Sequence, residues 1–358
     1  MQIVTFERRE DREAHEAGHE PSLSGAAAGF EALEPTAPGS RRLGSILASG
    51  EYAGAVVDLN RALAIRLAQE DAGAPEAEAD SLLPADALAF LRRLPISLAA
   101  ARAALEFTLD ALSRYDAPDL MRAGAVLPRA GVRLCAPVPR PGKIVGVARN
   151  YPSHAAERGG APAGEQPVLF LKAPSAVIGP EDAIRLPRVA AHVDFEGELA
   201  AVIGARARDV AESEALACVA GYCVANDVTA RDIQDVRGQR SIAKSCDGFA
   251  PLGPVLVTAD EVPDPQDLAI RTVLSGELVQ SARTKEMLFG VAALVSFISR
   301  LMTLEPGDVI LTGTPSGVGA ARTPPRWLRD GDIVEVAIER VGRLRSYVQG
   351  PGAGPGAG

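Results

Sequence analysis

Between residues 192 and 204 the chain reads HVDFEGELAAVIG, which sets His192, Asp194, Glu196 and Glu198 two residues apart. Period two is the side-chain period of a β-strand, so the spacing predicts all four polar groups on one face. Three carboxylates crowded together repel one another, and a divalent cation between Glu196 and Glu198 removes that repulsion. Carboxylate oxygens are hard ligands that suit Mg²⁺, Mn²⁺ or Ca²⁺. A third such ligand is offered by Asp227, which follows an apolar strand end in VANDVTARDIQ. An isolated Glu-x-Glu most often marks an exposed strand face. The LAAVIG that follows is too apolar for that here.

Elements of two kinds must position these groups. Met1 to Phe6 reads as a strand, and residues 11–41 as a polar, Gly/Ala/Pro-rich loop. LGSILASGEYAGAVVDLNRALAIRLAQ reads as two strands around a Gly turn, then a helix opened by Asp58 or Asn60. Residues 72–86 look like a second loop, and Ala87 to Tyr115 a helix broken near Pro95. Pro137, Pro139 and Pro141 mark a linker. From Lys143 on, short apolar runs punctuated by Gly and Pro read as strands: KIVGVA, VLFLK, LAAVIG, GYCVAND, GPVLVT, DLAIRTVLSGE, DVILTGTP and DIVEVAIERVGRLRSYV. Val291, Leu294, Val295, Ile298, Leu301 and Met302 have helical spacing, with Pro306-Gly307 as the stop. The expected domains are 1–136, 137–348 and a disordered Gly/Pro/Ala tail at 349–358.

The chain holds 358 residues, 47% of them hydrophobic, enough for a large core. Its net charge of -9 and lack of a basic run argue against nucleic-acid binding. No run approaches the roughly 18 apolar residues of a membrane span. The N-terminus lacks the apolar core of a signal peptide, so a cytoplasmic protein is expected. Cys135, Cys218, Cys223 and Cys246 form no C-x-x-C pair and are expected as free thiols; a zinc site on Cys218 and Cys223 has no second ligand pair. Gly317 and Gly319 lack the third glycine and the strand-turn-helix context of a dinucleotide fingerprint.

Taken together, DFEGELAAVIG, GYCVANDVTARDIQ, KSCDGFAPLGP and LEPGDVILTGTPSGVG closely resemble, in order and spacing, the fumarylacetoacetate hydrolase family. The resemblance runs from about Pro137 to Val348. It implies an α+β, mainly β fold with a mixed, rolled β-sheet catalytic domain and a smaller N-terminal α+β domain. It also implies a homodimer. The family's E-x-E and N-D carboxylates, carried over, make Glu196, Glu198 and Asp227 the ligands of one Mg²⁺ or Mn²⁺ per subunit. Asp194 is expected to support that site and His192 to lie at the surface. RNYPSHAAERG resembles the family's N-Y-x-x-H-x-x-E lid. There Glu157, three residues on, would orient His154 as a general base, with Pro152 and Gly159-Gly160 as hinges. By motif position Arg231, Gln234 and Thr314 would contact substrate, and Lys244 would face its carboxylate or developing oxyanion. Ala148 and Gly248 stand where many members carry Gly and Thr.

The family's common substrate is a small 2-oxo acid with a second carbonyl or enol two carbons away. The first expectation is therefore a hydrolase. It would cleave a C–C bond of acylpyruvate or fumarylpyruvate type 2,4-dioxo acids through a metal-held enolate and a water activated by His154 and Glu157. Isomerisation of 2-hydroxyhepta-2,4-diene-1,7-dioate type compounds and decarboxylation of oxaloacetate use the same site and are the alternatives.

Overall fold

The computed structural model describes residues 1–9, 40–114, 117–161 and 163–351, with Val236 and Arg237 as backbone only. It divides into two compact units, Met1–Leu134 and a second beginning at Cys135. Nearly all of the loop expected at 11–41, and residues 352–358 of the expected tail, lie outside the described residues.

In the first unit, strands Gln2–Arg8, Arg41–Ile46, Val56–Asp58 and Val126–Leu127 follow one another in an antiparallel sheet, with Ile3 opposite Ser45 and Val56 opposite Leu127. Asp58 ends the third strand and caps helix Leu59–Gln69, its side chain accepting from Arg61 N. That helix buries Leu59, Ala62, Leu63 and Ile65. Beside it packs helix Ile96–Arg114, whose small Ala101, Ala104, Thr108 and Ala111 are buried at helical spacing. The break near Pro95 is present, between Ala87–Arg92 and Ile96–Arg114. The loop expected at 72–86 is instead interrupted by helix Pro75–Leu82. Pro75 occupies its first turn, where a missing N–H costs nothing, and Glu76 and Glu78 complement the helix dipole. Helix Ala117–Arg122 was not anticipated either.

The second unit is built on two large sheets, with Val193–Asp194 and Thr229–Ala230 forming a small third one. The first runs in the order Ala250–Thr258, Val219–Asn226, Gly197–Ile203, Val309–Leu311, Ile144–Ala148, Val168–Lys172. Along this path the pairs are antiparallel except Val309–Leu311 with Ile144–Ala148, and Val177–Ile178 adds a second parallel pair on Ala250–Thr258, so the sheet is mixed. Every residue of Gly197–Ile203 is buried, which explains the unbroken apolar LAAVI. The second sheet runs Glu277–Arg283, Ala269–Leu274, Ile333–Ile338, Gly342–Gln349, Ala183–Arg185 and packs on the first. Its last long strand extends through Gln349, one residue into the expected tail. Helix Val291–Leu301 buries Val291, Leu294, Val295 and Ile298, each worth about 1.5–3 kcal/mol relative to exposure. It stops before Met302, sooner than Pro306-Gly307 would require, because Leu304 leaves to bridge Ala207.

Candidate metal centre and active site

His192 to Glu198 do not form one strand. Val193–Asp194 pairs with Thr229–Ala230, and Gly197–Ile203 pairs with Val219–Asn226. Between them three successive backbone N–H groups leave the ladder and bond to side chains. Phe195 N donates to Asp194 Oδ1 (2.9 Å), Glu196 N to Asn226 Oδ1 (2.9 Å) and Gly197 N to Gln280 Oε1 (3.0 Å). Gly197 is required by contact, since a Cβ there would stand 2.2 Å from Thr272 Oγ1. The kink therefore sorts the four polar residues by role. His192 is exposed and stacks on Trp327, with ring centroids 4.8 Å apart. Asp194 is fully buried, accepts from Gly319 N (2.7 Å) and Ala320 N (3.1 Å), and holds Arg231 through its Nε (2.9 Å).

Glu196, Glu198 and Asp227 converge, with one carboxylate oxygen from each lying within 4.8 Å of the others, and all three are buried. Asp227 is drawn into place by its backbone, whose N–H donates to Glu196 O at 2.8 Å. Three buried cations face the cluster. Arg231 Nη2 reaches Glu196 Oε1 at 2.6 Å. Lys244 Nζ bridges Glu196 Oε2 (2.7 Å) and Asp227 Oδ2 (2.5 Å) and donates to Thr229 Oγ1 (2.8 Å). Lys172 Nζ reaches Asp227 Oδ1 (2.5 Å) and Phe249 O (2.8 Å).

Burial alone would raise the Glu196 carboxyl, but Lys244 and Arg231 outweigh it and hold that group well below the ordinary carboxylate range. Glu198 has no such partner. Burial, then the charges of Asp227 and Glu196, push its carboxyl well above the usual range. Its Oε2 accepts from Gly313 N (2.7 Å), and its other oxygen has no hydrogen-bond or ion-pair partner among the described residues. Burial lowers the Lys172 ammonium against the pull of Asp227, whereas Asp227 and Glu196 overcome burial and raise Lys244. The donor set therefore fits a hard divalent cation. It is all oxygen, and it contains one buried carboxylate whose charge no side chain neutralises.

Above the carboxylates opens a cavity of about 320 Å³, lined in part by Glu196, Glu198, Lys244, Arg231, Gln234 and His154. The expected lid is helix Pro152–Glu157. On it His154 Nδ1 meets Glu157 Oε1 at 2.9 Å, and Glu157 Oε2 accepts from Gly317 N at 2.7 Å. Gly317 has φ +107, and a Cβ there would stand 1.9 Å from Val279 O. Gln234 lies one turn beyond Arg231 on helix Arg231–Arg237 and has no hydrogen-bond partner among the described residues. Arg231 lines the cavity while its guanidinium is engaged by Asp194 and Glu196. Thr314 also lines it, with its hydroxyl donating to Gly197 O (2.9 Å) and accepting from Gln280 Nε2 (2.8 Å).

Of the nine residues given site roles from the sequence, seven line this cavity, and the other two adjoin it, Glu157 through His154 and Asp227 through Lys244. The sequence reading missed Lys172, Gln280, Gly313, Arg149 and Arg240. Lys172 carried the clearest unread signal, a charge at the end of the apolar run VLFLK. The others are a glutamine in a strand, a loop glycine and two surface-type arginines, which no spacing rule marks.

The family model of the fumarylacetoacetate (FAA) hydrolase C-terminal domain matches residues 143–349. The chain is 45% identical over 245 residues to the oxaloacetate tautomerase FAHD2B, mitochondrial, of Bos taurus, covering 68% of this chain and 76% of that protein. It is 42% identical over 271 residues to the human oxaloacetate tautomerase FAHD2A, mitochondrial, covering 75% and 81%. Among solved structures, the 2-hydroxyhepta-2,4-diene-1,7-dioate isomerase of Mycobacterium marinum is similar with 44% identity and a TM-score of 0.56 over 64% of this chain and 82% of that one. The fumarylacetoacetate hydrolase of Exiguobacterium antarcticum matches 98% of this chain and all of its own (100%), with a TM-score of 0.68 and 32% identity. A mixed-sheet fold, a buried E-x-E and Asp cluster, and these matches together establish that the chain belongs to the fumarylacetoacetate hydrolase family.

Proposed function

We propose that the protein relocates a proton on a small 2-oxo acid, interconverting keto and enol forms, with oxaloacetate as the leading substrate. The observation that carries this reading is the His154–Glu157 pair, 2.9 Å apart and opening onto the cavity that also contains Glu196 and Glu198. The relatives' names, an oxaloacetate tautomerase and a diene-dioate isomerase, describe proton transfers and favour the isomerase alternative over the hydrolase expected first.

A Mg²⁺ or Mn²⁺ held by Glu196, Glu198 and Asp227 would supply a Lewis acid toward the 2-oxo acid group. With Nδ1 turned to Glu157, His154 presents Nε2 to the substrate. His154 takes the proton from C3, the electron pair of that C–H bond forms the C2–C3 double bond, and the former carbonyl oxygen receives the proton. Glu157 balances the imidazolium charge that exists between the two transfers. Lys244 sets a buried ammonium beside the same carboxylates and favours negative charge developing on oxygen. Gln234, in the lining one turn beyond Arg231, offers an amide to orient the substrate. The same base could instead activate a water for C–C cleavage, which is the hydrolase reading. A homodimer in the cytoplasm completes the proposal and is tested by sedimentation and fractionation.

The deciding experiment follows enol oxaloacetate by its ultraviolet absorbance, with C3 exchange from D₂O and loss of an acylpyruvate measured in parallel. Fast enol loss with C3 exchange and no acid product supports proton relocation. His154→Ala is expected to lower kcat about 10²–10⁴-fold with KM nearly unchanged, and Glu157→Gln to mimic it. Acylpyruvate cleavage without catalysed exchange would replace this reading with hydrolysis. Unchanged kcat in His154→Ala on every substrate would remove the lid from the chemistry.

A further inference from the structure

The cavity holds more positive charge than its carboxylate floor uses. Lys244 is bound to Glu196 and Asp227, Arg231 to Asp194 and Glu196, and Arg158 faces Asp235 at 3.7 Å. Two arginines in the lining remain. Neither Arg149 nor Arg240 has a side-chain hydrogen bond or ion pair among the described residues.

Both are placed by backbone features rather than by partners. Arg149 follows strand Ile144–Ala148 with φ 58, a left-handed conformation that non-glycine residues seldom adopt. Gly160 stands close against its guanidinium, since a methyl group on Gly160 would lie 3.5 Å from Arg149 Cζ. Arg240 opens the helical turn that ends at Lys244, whose N–H donates to Arg240 O at 3.1 Å. Residues four apart on a helix share a face, so Arg240 stands about 6 Å, roughly one turn, along the wall from Lys244. Arg240 is half-buried and Arg149 exposed, which sets the pair toward the mouth while Glu196 and Lys244 lie at the floor.

We propose that Arg149 and Arg240 form a second anion subsite, which takes the distal carboxylate of a dicarboxylic 2-oxo acid whose 2-oxo acid end lies at the carboxylate floor. The assignment of the floor rests on the function proposed above. Two unpaired guanidinium groups sharing one cavity repel each other, and an anion between them relieves that repulsion. Consistent with this, burial and then the charge of Arg149 lower Arg240 from its ordinary value. The subsite makes substrate length and distal charge the basis of selection. A diacid brings a second carboxylate to the arginines, and a monoacid leaves them unpaired.

The test uses ligands that cannot enolise. 2-Oxo-3,3-dimethylsuccinate and its C4 methyl ester are titrated calorimetrically into the full chain with Mg²⁺ present. The diacid is expected to bind the wild-type protein at least about tenfold tighter than the ester. In Arg149→Gln and in Arg240→Gln that ratio falls toward one, while Arg240→Lys retains part of it. Equal affinity of diacid and ester for the wild-type protein overturns the subsite, and this comparison needs no variant. A ratio that survives in both glutamine variants assigns the selection to other groups and overturns it too. Because neither probe has a C3 hydrogen to transfer, and loss of CO₂ from the diacid is checked during the titration, the outcome is separable from the proposed proton relocation. A diacid-selective protein that fails to equilibrate enol oxaloacetate keeps the subsite and loses the proposed function. A protein that equilibrates it without preferring the diacid does the reverse.

Discussion

Each unit of the molecule buries an acidic centre, and the two are built to opposite ends. In the first unit Asp58 is fully buried and fully compensated. Arg42 grips it with Nε and Nη2 (2.5 and 3.0 Å), Arg8 lies 3.8 Å away, and the helix N–H of Arg61 donates to it at 3.1 Å. In the second unit Glu196, Glu198, Asp227 and Asp194 face Arg231, Lys244 and Lys172, and Glu198 has no ion-pair partner among the described residues. A buried carboxylate with more than enough positive charge is an element of architecture. One with less is a place prepared for a ligand.

The largest test of this contrast is Asp58→Ala. It leaves Arg42 uncompensated and removes a helix cap, and should cost about 3–5 kcal/mol in urea unfolding, with or without Mg²⁺. A loss below 1 kcal/mol would mean the Asp58 cluster is not the structural one of the pair. The second test adds metal. Mg²⁺ at about 100 times its dissociation constant should stabilise the wild-type protein by about 2.7 kcal/mol, and Glu198→Gln should abolish that gain in a thermal melt. An undiminished gain would move the metal away from the triad. The smallest effect concerns metal-free protein in EDTA. The folded Glu198 carboxyl is raised, so the native state binds more protons than the unfolded one above the ordinary carboxylate range. Stability should then fall as pH rises from that range toward neutrality. Glu198→Gln should flatten this slope and gain on the order of 1 kcal/mol at neutral pH, since a buried unpaired charge is gone. A slope unchanged by the substitution would assign it to other groups.

Much of the site was legible because its residues are local in sequence. Glu196 and Glu198 are two apart, His154 and Glu157 three apart, and both relations survive into the structure. What failed was the inference that equal spacing implies one strand. The break at Phe195–Glu196 is imposed by Asn226 and Gln280, residues remote in the chain, whose side chains take the N–H groups of Glu196 and Gly197. No periodicity within HVDFEGE reports that. Lys172 was hidden for the same reason, because its partner Asp227 is 55 residues away. Helix Pro75–Leu82 was lost to a rule applied too broadly, since proline breaks a helix in its interior but suits its first turn.

The groups that hold Glu198 and Glu157 from outside the carboxylate cluster are main-chain N–H groups, Gly313 on Glu198 and Gly317 on Glu157. No codon change at those positions can delete the donor unless it introduces proline. The selective groups at the mouth, Arg149 and Arg240, are by contrast ordinary side chains that one substitution removes. Substitutions at the rim therefore leave the alignment of the proposed acid–base pair, His154 and Glu157, in place. A library that includes residue 317 would mostly sample strained backbones, because its φ of +107 admits glycine and little else.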